Sequence, residues 1–330
     1  MKKWYTIDIV KGFLIFLVFI GHIIPGSTGN VLSRYLIYSF HMPLFMGISG
    51  FLLNTSVFDR NFSYLLKKYF YRILLPWSIA VVVYAMYMHR TSFSVSLILN
   101  SFLYPYYHLW FIVAYFTYIV ITCIVWKILK DKPNKLLYIF IFSLVLGVME
   151  KFDIISALSF NHNTEIISEF ISQNLRFHNY PFFILGMYLR KYIADTKKQN
   201  QKISGFVILS FIISAVLTFF SFKGFGFNIN EFLRDFNFFI YNGLLLFIVI
   251  NLCILSDMRC RVLEFIGKNS LPIYLYHVIF YQIFESVFIL FGIGHNLVKF
   301  ISFIPLCMCV FIATKISFIN KYIFGSSEKA

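Results

Sequence analysis

The chain has 330 residues, 59% of them hydrophobic and 13% charged, with 29 Lys and Arg against 14 Asp and Glu for a formal net charge of +15. A soluble domain carries roughly a quarter of its residues as charges, so this balance excludes a soluble enzyme and fits a polytopic membrane protein. The basic excess does not signal nucleic acid, because Lys and Arg fall in short connections between apolar runs.

Crossing a ~30 Å hydrocarbon core takes about 20 residues, fewer where flanking side chains snorkel. The apolar runs predict about ten transmembrane helices, at roughly 7–25, 35–53, 70–88, 107–126, 136–150, 179–192, 203–222, 236–255, 271–291 and 297–319. The expected fold is all-α: a single membrane-embedded domain over residues 1–330, with no appended soluble domain and both termini cytoplasmic. Met1-Lys2-Lys3 before an apolar run imitates a signal peptide. Asp8 and Lys11 interrupt that run and no small-x-small cleavage site follows, so an uncleaved first span is expected. Basic residues set the orientation. Twenty fall on the N-terminal side of the membrane and seven on the other, namely Arg34, Arg90, Lys151, Arg176, Lys223, Arg234 and Lys299; Lys11 and Lys315 lie within spans. Longer outer connections fall at about 89–107, 151–178 and 223–235; the middle one, with His162, Glu165 and Arg176 and the pattern of an amphipathic surface helix over 154–172, reads either as a solvated loop or as an acceptor-binding lid on the outer surface. The five cysteines have neither metal-ligand spacing nor a disulfide pattern, and no metal is expected.

The first span carries the strongest functional signal. An ionisable residue at membrane depth is costly and marks a functional site by default. Lys11 and His22 are eleven residues apart, which at ~100° per residue brings them to within about 20° of one another, separated by ~16 Å along the axis. Asp8 lies on the same face, so the stripe suggests a polar channel inside a bundle. His41 at the start of the second span and His108 at the start of the fourth fall at the depth of His22. A single membrane histidine is ordinarily a packing residue; three at one depth suit general-base chemistry. Lys68 and Arg72 share a helical face at the inner end of the third span. They are either inner-side anchors or, with Lys11, a phosphate-binding cluster. Ser49 is a further polar mark on the second helix, where Gly47-Ile-Ser-Gly50 has the small-residue spacing of close helix packing. His277 and Glu285, eight residues apart, read either as a structural hydrogen-bonded pair or as residues with a direct catalytic role.

These residues resemble the acyltransferase-3 family of bacterial membrane proteins. The match runs through Asp8-x-x-Lys11-Gly12 with Gly21-His22, Phe40-His41-Met42-Pro43-Leu44-Phe45, and Ser49-Gly50-Phe51. It continues with Arg72-Ile-Leu-Leu-Pro76, His108-Leu109-Trp110-Phe111, Phe183-x-x-Gly186-Met187 and Ile266-Gly267 to His277. The family more often has Arg at the place of Lys11. The resemblance implies a multi-pass protein of the bacterial cytoplasmic membrane, with acetyl-CoA as cytoplasmic donor and a surface glycan or lipid-linked oligosaccharide as acceptor. On this reading Lys11, Lys68 and Arg72 hold the donor phosphates and His22 is the base. His41 and Asp8 complete the catalytic set, Asp8 by orienting Lys11, and His108, Trp110 and Ser49 face the acceptor. An acyl-enzyme route through histidine or Ser49 stays open. So do a succinyl donor and a homodimer or a separate extracytoplasmic transferase as partner. The rival of another class is a glycan transporter, whose polar site would be expected near the midplane on broken helices.

Overall fold

The computed structural model describes residues 5–89, 94–106, 108–154, 167–194, 203–288 and 295–325. Lys2, Lys3, Arg90, Tyr107, His162, Glu165, Lys197, Lys198, Lys202 and Lys329, and most of the 154–172 surface helix, lie outside the described residues. What is described is helical, without strands. Five helical stretches are long and apolar enough to cross a membrane: α1 (Tyr5–Ile23), α2 (Leu32–Leu52), the continuous run Phe62–Met88, α6 (Trp110–Ile128) and α10 (Glu231–Leu255). The third run is α3 (Phe62–Tyr69), a π turn (Phe70–Leu74) and α4 (Leu75–Met88). The other predicted spans hold α7 (Lys135–Lys151), α8 (Tyr180–Leu189), α9 (Gly205–Phe220), α12 (Ser270–Phe288), α13 (His295–Ile301) and α14 (Phe303–Ala313). Large apolar side chains such as Phe206, Ile213 and Ile304 stand exposed, as suits a surface facing acyl chains.

Three short helices occupy stretches read as connections: α3, α5 (Val95–Leu103) and α11 (Arg261–Lys268). The last sets the position of the first span. A Cβ on Gly12 would collide with the Leu263 carbonyl, and one on Gly267 with the Asp8 carbonyl, so α1 and α11 cross in near-backbone contact. A second glycine seam joins α2 to α8, where a Cβ on Gly50 would meet the Phe183 carbonyl and one on Gly186 the Gly47 carbonyl. Small residues at such crossings let helices approach closely in the absence of a hydrophobic drive between them.

Prolines break the helical hydrogen-bond ladder where function is expected. Pro43 lies inside α2 and has no N–H for the Ser39 carbonyl one turn earlier. Asn242 of α10 supplies the missing donor, its Nδ2 lying 3.1 Å from that carbonyl. Backbone groups in a membrane must be satisfied within the protein, and this side chain does so between Tyr38 and His41. Pro76 likewise deprives the Arg72 carbonyl of its helical partner; the π turn absorbs the change, closing with Leu75 N–H to the Phe70 carbonyl.

Candidate active site

Three imidazoles meet where α1 ends. The His22 ring centroid is 5.2 Å from that of His277 on α12 and 5.9 Å from that of His108, which leads into α6; His108 and His277 are 5.0 Å apart. Backbone groups fix the deepest of these rings. His277 Nδ1 lies 2.7 Å from the Tyr274 carbonyl. A carbonyl only accepts, so Nδ1 carries the proton of the neutral ring and Nε2 keeps its lone pair. That Nε2 is buried, with no hydrogen-bond partner among the described residues. The Ile279 amide donates to the Tyr84 hydroxyl at 3.0 Å and the Tyr274 hydroxyl donates to the His108 carbonyl, so α12 is fastened on both sides of His277. Tyr84 stacks on Tyr106 at 4.9 Å and meets the His108 ring edge-on at 5.1 Å.

Towards α2 the cluster is bordered by Tyr38, whose hydroxyl is 3.4 Å from His22 Nδ1. The buried His41 ring packs on Tyr38 at 4.9 Å, and its Nδ1 donates to the Ile37 carbonyl at 2.6 Å. Two cations flank Tyr38. Arg34 lies 5.3 Å from the Tyr38 ring centroid and donates to the Ile24 and Gly26 carbonyls at 2.8 and 2.7 Å, closing the turn after α1. Arg176 stacks 4.2 Å over Trp110, and its Nε donates to the Gln173 carbonyl at 3.3 Å. Its field reaches Tyr38, His41 and Tyr274. Beside Tyr38 opens a cavity of about 300 Å³ between α2, α9 and α10, with Lys151 from the end of α7 in its wall.

At the other end of α1, ~16 Å away, Lys11 pairs with Asp8 at 3.5 Å and lies within the fields of Arg72 and Lys268. Lys268 closes α11 and approaches Glu264 at 3.7 Å, as does Arg259. Among the described residues, Lys11, Arg259 and Lys268 thus stand with the carboxylates of Asp8 and Glu264, an excess of positive charge that favours a polyanion.

A family model described as an acyltransferase domain matches residues 4–317. The chain belongs to the acyltransferase-3 family. The nodulation protein NolL of Mesorhizobium japonicum is 40% identical over 78 residues, which are 22% of this chain and 21% of that protein. NolL of Sinorhizobium fredii is 42% identical over 78 residues, with the same shares. The matched stretch is therefore about a fifth of the length of these curated relatives. No solved structure matches the chain.

The structure sorts the residues that sequence singles out in this acyltransferase-3 chain. His22 and His108 lie in the cluster, His41 stands one ring away behind Tyr38, and Trp110 carries Arg176. The third ring of the cluster is His277, not His41. The expected His277–Glu285 pair does not form: Glu285 binds Lys299 at 3.0 Å, while His277 turns to the Tyr274 carbonyl. Asp8 is at the Lys11 end, fourteen residues or ~21 Å from His22, beyond reach of the imidazoles. Lys68 is exposed over the Tyr69 ring; Lys268 is the lysine whose field reaches Lys11. Ser49 Oγ donates to the Phe45 carbonyl of its own helix at 2.8 Å. The stripe between Lys11 and His22 is not a polar channel either. Ile15, Val18 and Phe19 fill it, at 2%, 4% and 1% exposure. Sequence reasoning missed Tyr38 and Lys268, and placed Arg176 only in an outer loop read as solvated or as an acceptor-binding lid. Tyr38 had a signal, lying three residues before His41 on one helical face; the stacking of Arg176 on Trp110 had none, because the π turn Ile171–Leu175 that precedes it cannot be read from periodicity.

Proposed function

We propose that the chain is a membrane O-acetyltransferase. It moves the acetyl group of cytoplasmic acetyl-coenzyme A to a hydroxyl of a cell-surface or exported glycan, within a bundle of about ten spans in the bacterial cytoplasmic membrane, both termini cytoplasmic. The observation that carries this reading is the imidazole cluster standing one helix length from a cation cluster on the same α1. Lys11, Arg72 and Lys268 hold the donor phosphates. The thioester reaches the far end when Ile15, Val18 and Phe19 give way. His22 takes the proton of the acceptor hydroxyl as its oxygen bonds to the thioester carbonyl carbon. The carbon–sulfur bond then breaks, and the thiolate leaves with the proton returned by the imidazolium. Arg176 supplies positive charge for the oxygen on which charge develops, and the His277 Nε2 lone pair stands beside His22 as an acceptor for the imidazolium proton. Succinyl-coenzyme A is the donor to compare.

The test is transfer of labelled acetyl from acetyl-coenzyme A to glycan by the purified chain in nanodiscs. The native protein is expected to label the glycan, and a folded, inserted His22→Ala variant to lose that activity. Labelling retained by the variant removes His22 from this role, and no labelling by the native protein favours a transporter.

A further inference from the structure

The cavity beside Tyr38 carries charges that the acyl-transfer step does not use. Lys151 Nζ lies 3.6 Å from Asp235 Oδ1, and Arg234 reaches the same carboxylate, Nε to Oδ1 at 3.1 Å and Nη2 to Oδ2 at 3.3 Å. Two cations share one anion. Glu231 also approaches Arg234 at 3.6 Å, but its side chain is 80% exposed and outside the lining, where water screens the pair. Among the described residues the wall itself therefore keeps one positive charge without a counter-charge, in a recess where the Lys151 and Asp235 side chains are only 28% and 14% exposed. A cation drawn out of water favours a ligand that brings its own anion.

The rest of the wall describes what bears that anion. Asn237, the amide in the lining, is already satisfied by Ser214 and Thr218. Besides the charges the wall presents four aromatic rings, Tyr35, Tyr38, Phe238 and Tyr241, and four Ser and Thr hydroxyls, of which those of Ser39, Thr218 and Ser221 already donate to backbone carbonyls. An aromatic-walled recess of about 300 Å³ with a few placed polar groups is at the lower bound of small-ligand sites and suits a single sugar ring. Tyr38 belongs to both places, lining the cavity while its hydroxyl faces His22 Nδ1 at 3.4 Å.

We propose that this cavity is the acceptor subsite for a glycan unit bearing an anionic group, held by Lys151 and Arg234 against the aromatic wall, with Tyr38 directing its hydroxyl towards His22. The assignment rests on the acetyl-transfer reading for the fate of that hydroxyl, and is independent of it for binding. The test is therefore run without donor. The full chain in zwitterionic nanodiscs is titrated with glucuronate, a glucose phosphate and glucose, followed by saturation-transfer NMR. Glucuronate, the phosphate or both are expected to bind at least about five-fold more tightly than glucose, as for a charge-assisted contact, and the one preferred names the anion. Lys151→Gln and Arg234→Gln are each expected to narrow the gap, and Asp235→Asn to widen it. Equal binding of all three sugars, no binding of any, or a gap unmoved by both cation variants overturns the proposal. A chain that shows the preference yet transfers no acetyl group refutes the enzymatic reading and leaves this subsite standing.

Discussion

Lys11 and His22 stand at the two ends of one helix and are held in different ways. Lys11 pairs with Asp8 at 3.5 Å, and at the same end Arg259 and Lys268 approach Glu264 at 3.7 Å with side chains about half exposed, at 57% and 46%. Ion pairs of this kind are each worth only ~0–1 kcal/mol, so they exchange partners readily. Around His22 the groups are neutral rings, and those of His108 and His277 are buried, fixed by backbone carbonyls and tyrosines. The contrast matches two tasks. A polyanion is held by the number of charges near it and tolerates loose geometry. A proton transfer needs one lone pair in one place.

The largest effect expected from this contrast is at His277. Its Nε2 has no partner among the described residues, which leaves that lone pair open to the proposed reaction. His277→Ala should lower kcat by about 10²- to 10⁴-fold, the range of a general acid–base group, with the donor KM nearly unchanged. His277→Gln, closer in volume, separates chemistry from packing. If either folded variant keeps kcat within a few-fold of native, the ring is a packing residue and the cluster has two working members.

The precision of the histidine end extends to its backbone. Asn242→Leu removes the donor that serves the Ser39 carbonyl and should destabilise the chain by ~1–3 kcal/mol, the cost of an unsatisfied buried group. Pro43→Ala restores an N–H for the same carbonyl. Thermal unfolding in detergent should therefore show a smaller loss for Asn242→Leu in the Pro43→Ala background than in the native one. Equal losses would mean that Asn242 stabilises α10 through Phe238, to whose carbonyl it also donates at 2.9 Å.

How much of this was legible in the sequence differs between the ends in the same way. The helix carrying Asp8, Lys11 and His22 is a local pattern, and its periodicity and spacing place all three. The apolar runs likewise announce the membrane helices, and the Gly47 to Gly50 spacing announces a close seam. The histidine cluster draws on α1, α12 and the approach to α6, and depth alone does not say which of His41 and His277 points inward. That depends on how α2 and α12 pack and on the carbonyl that each ring finds. Lys268 was hidden for another reason. It belongs to α11, a short polar helix that reads as a loop until Gly12 and Gly267 are seen to lock it against α1.

A smaller effect is expected at the charged end. Lys11→Gln should raise the donor KM by roughly ten-fold, near the ~1.5–3 kcal/mol of a hydrogen bond to a charged group, and leave kcat within two- to three-fold. Lys11→Arg should stay close to native, since the site counts charges. A large fall in kcat for Lys11→Arg would show that this end is as exacting as the other and would erase the contrast.

The smallest effect is expected at Ser49. It lies on α2 eight residues after His41, ~12 Å along the helix, and its hydroxyl is bonded to the Phe45 carbonyl at 2.8 Å. That bond is the usual retreat of a serine inside an apolar helix. It directs the hydroxyl proton to the backbone, and the spacing leaves the oxygen a turn or more from any imidazole described above. An acyl-enzyme through Ser49 would need the hydroxyl to break this bond and a base to reach it. Ser49→Ala should therefore keep acetyl transfer within about two-fold of native, consistent with loss of a single local hydrogen bond. Rapid-quench labelling should find no acetyl on that position. A loss of a hundred-fold or more, or a trapped acetyl-serine, would move the chemistry from the end of α1 to the middle of α2 and make the histidines its supporting cast.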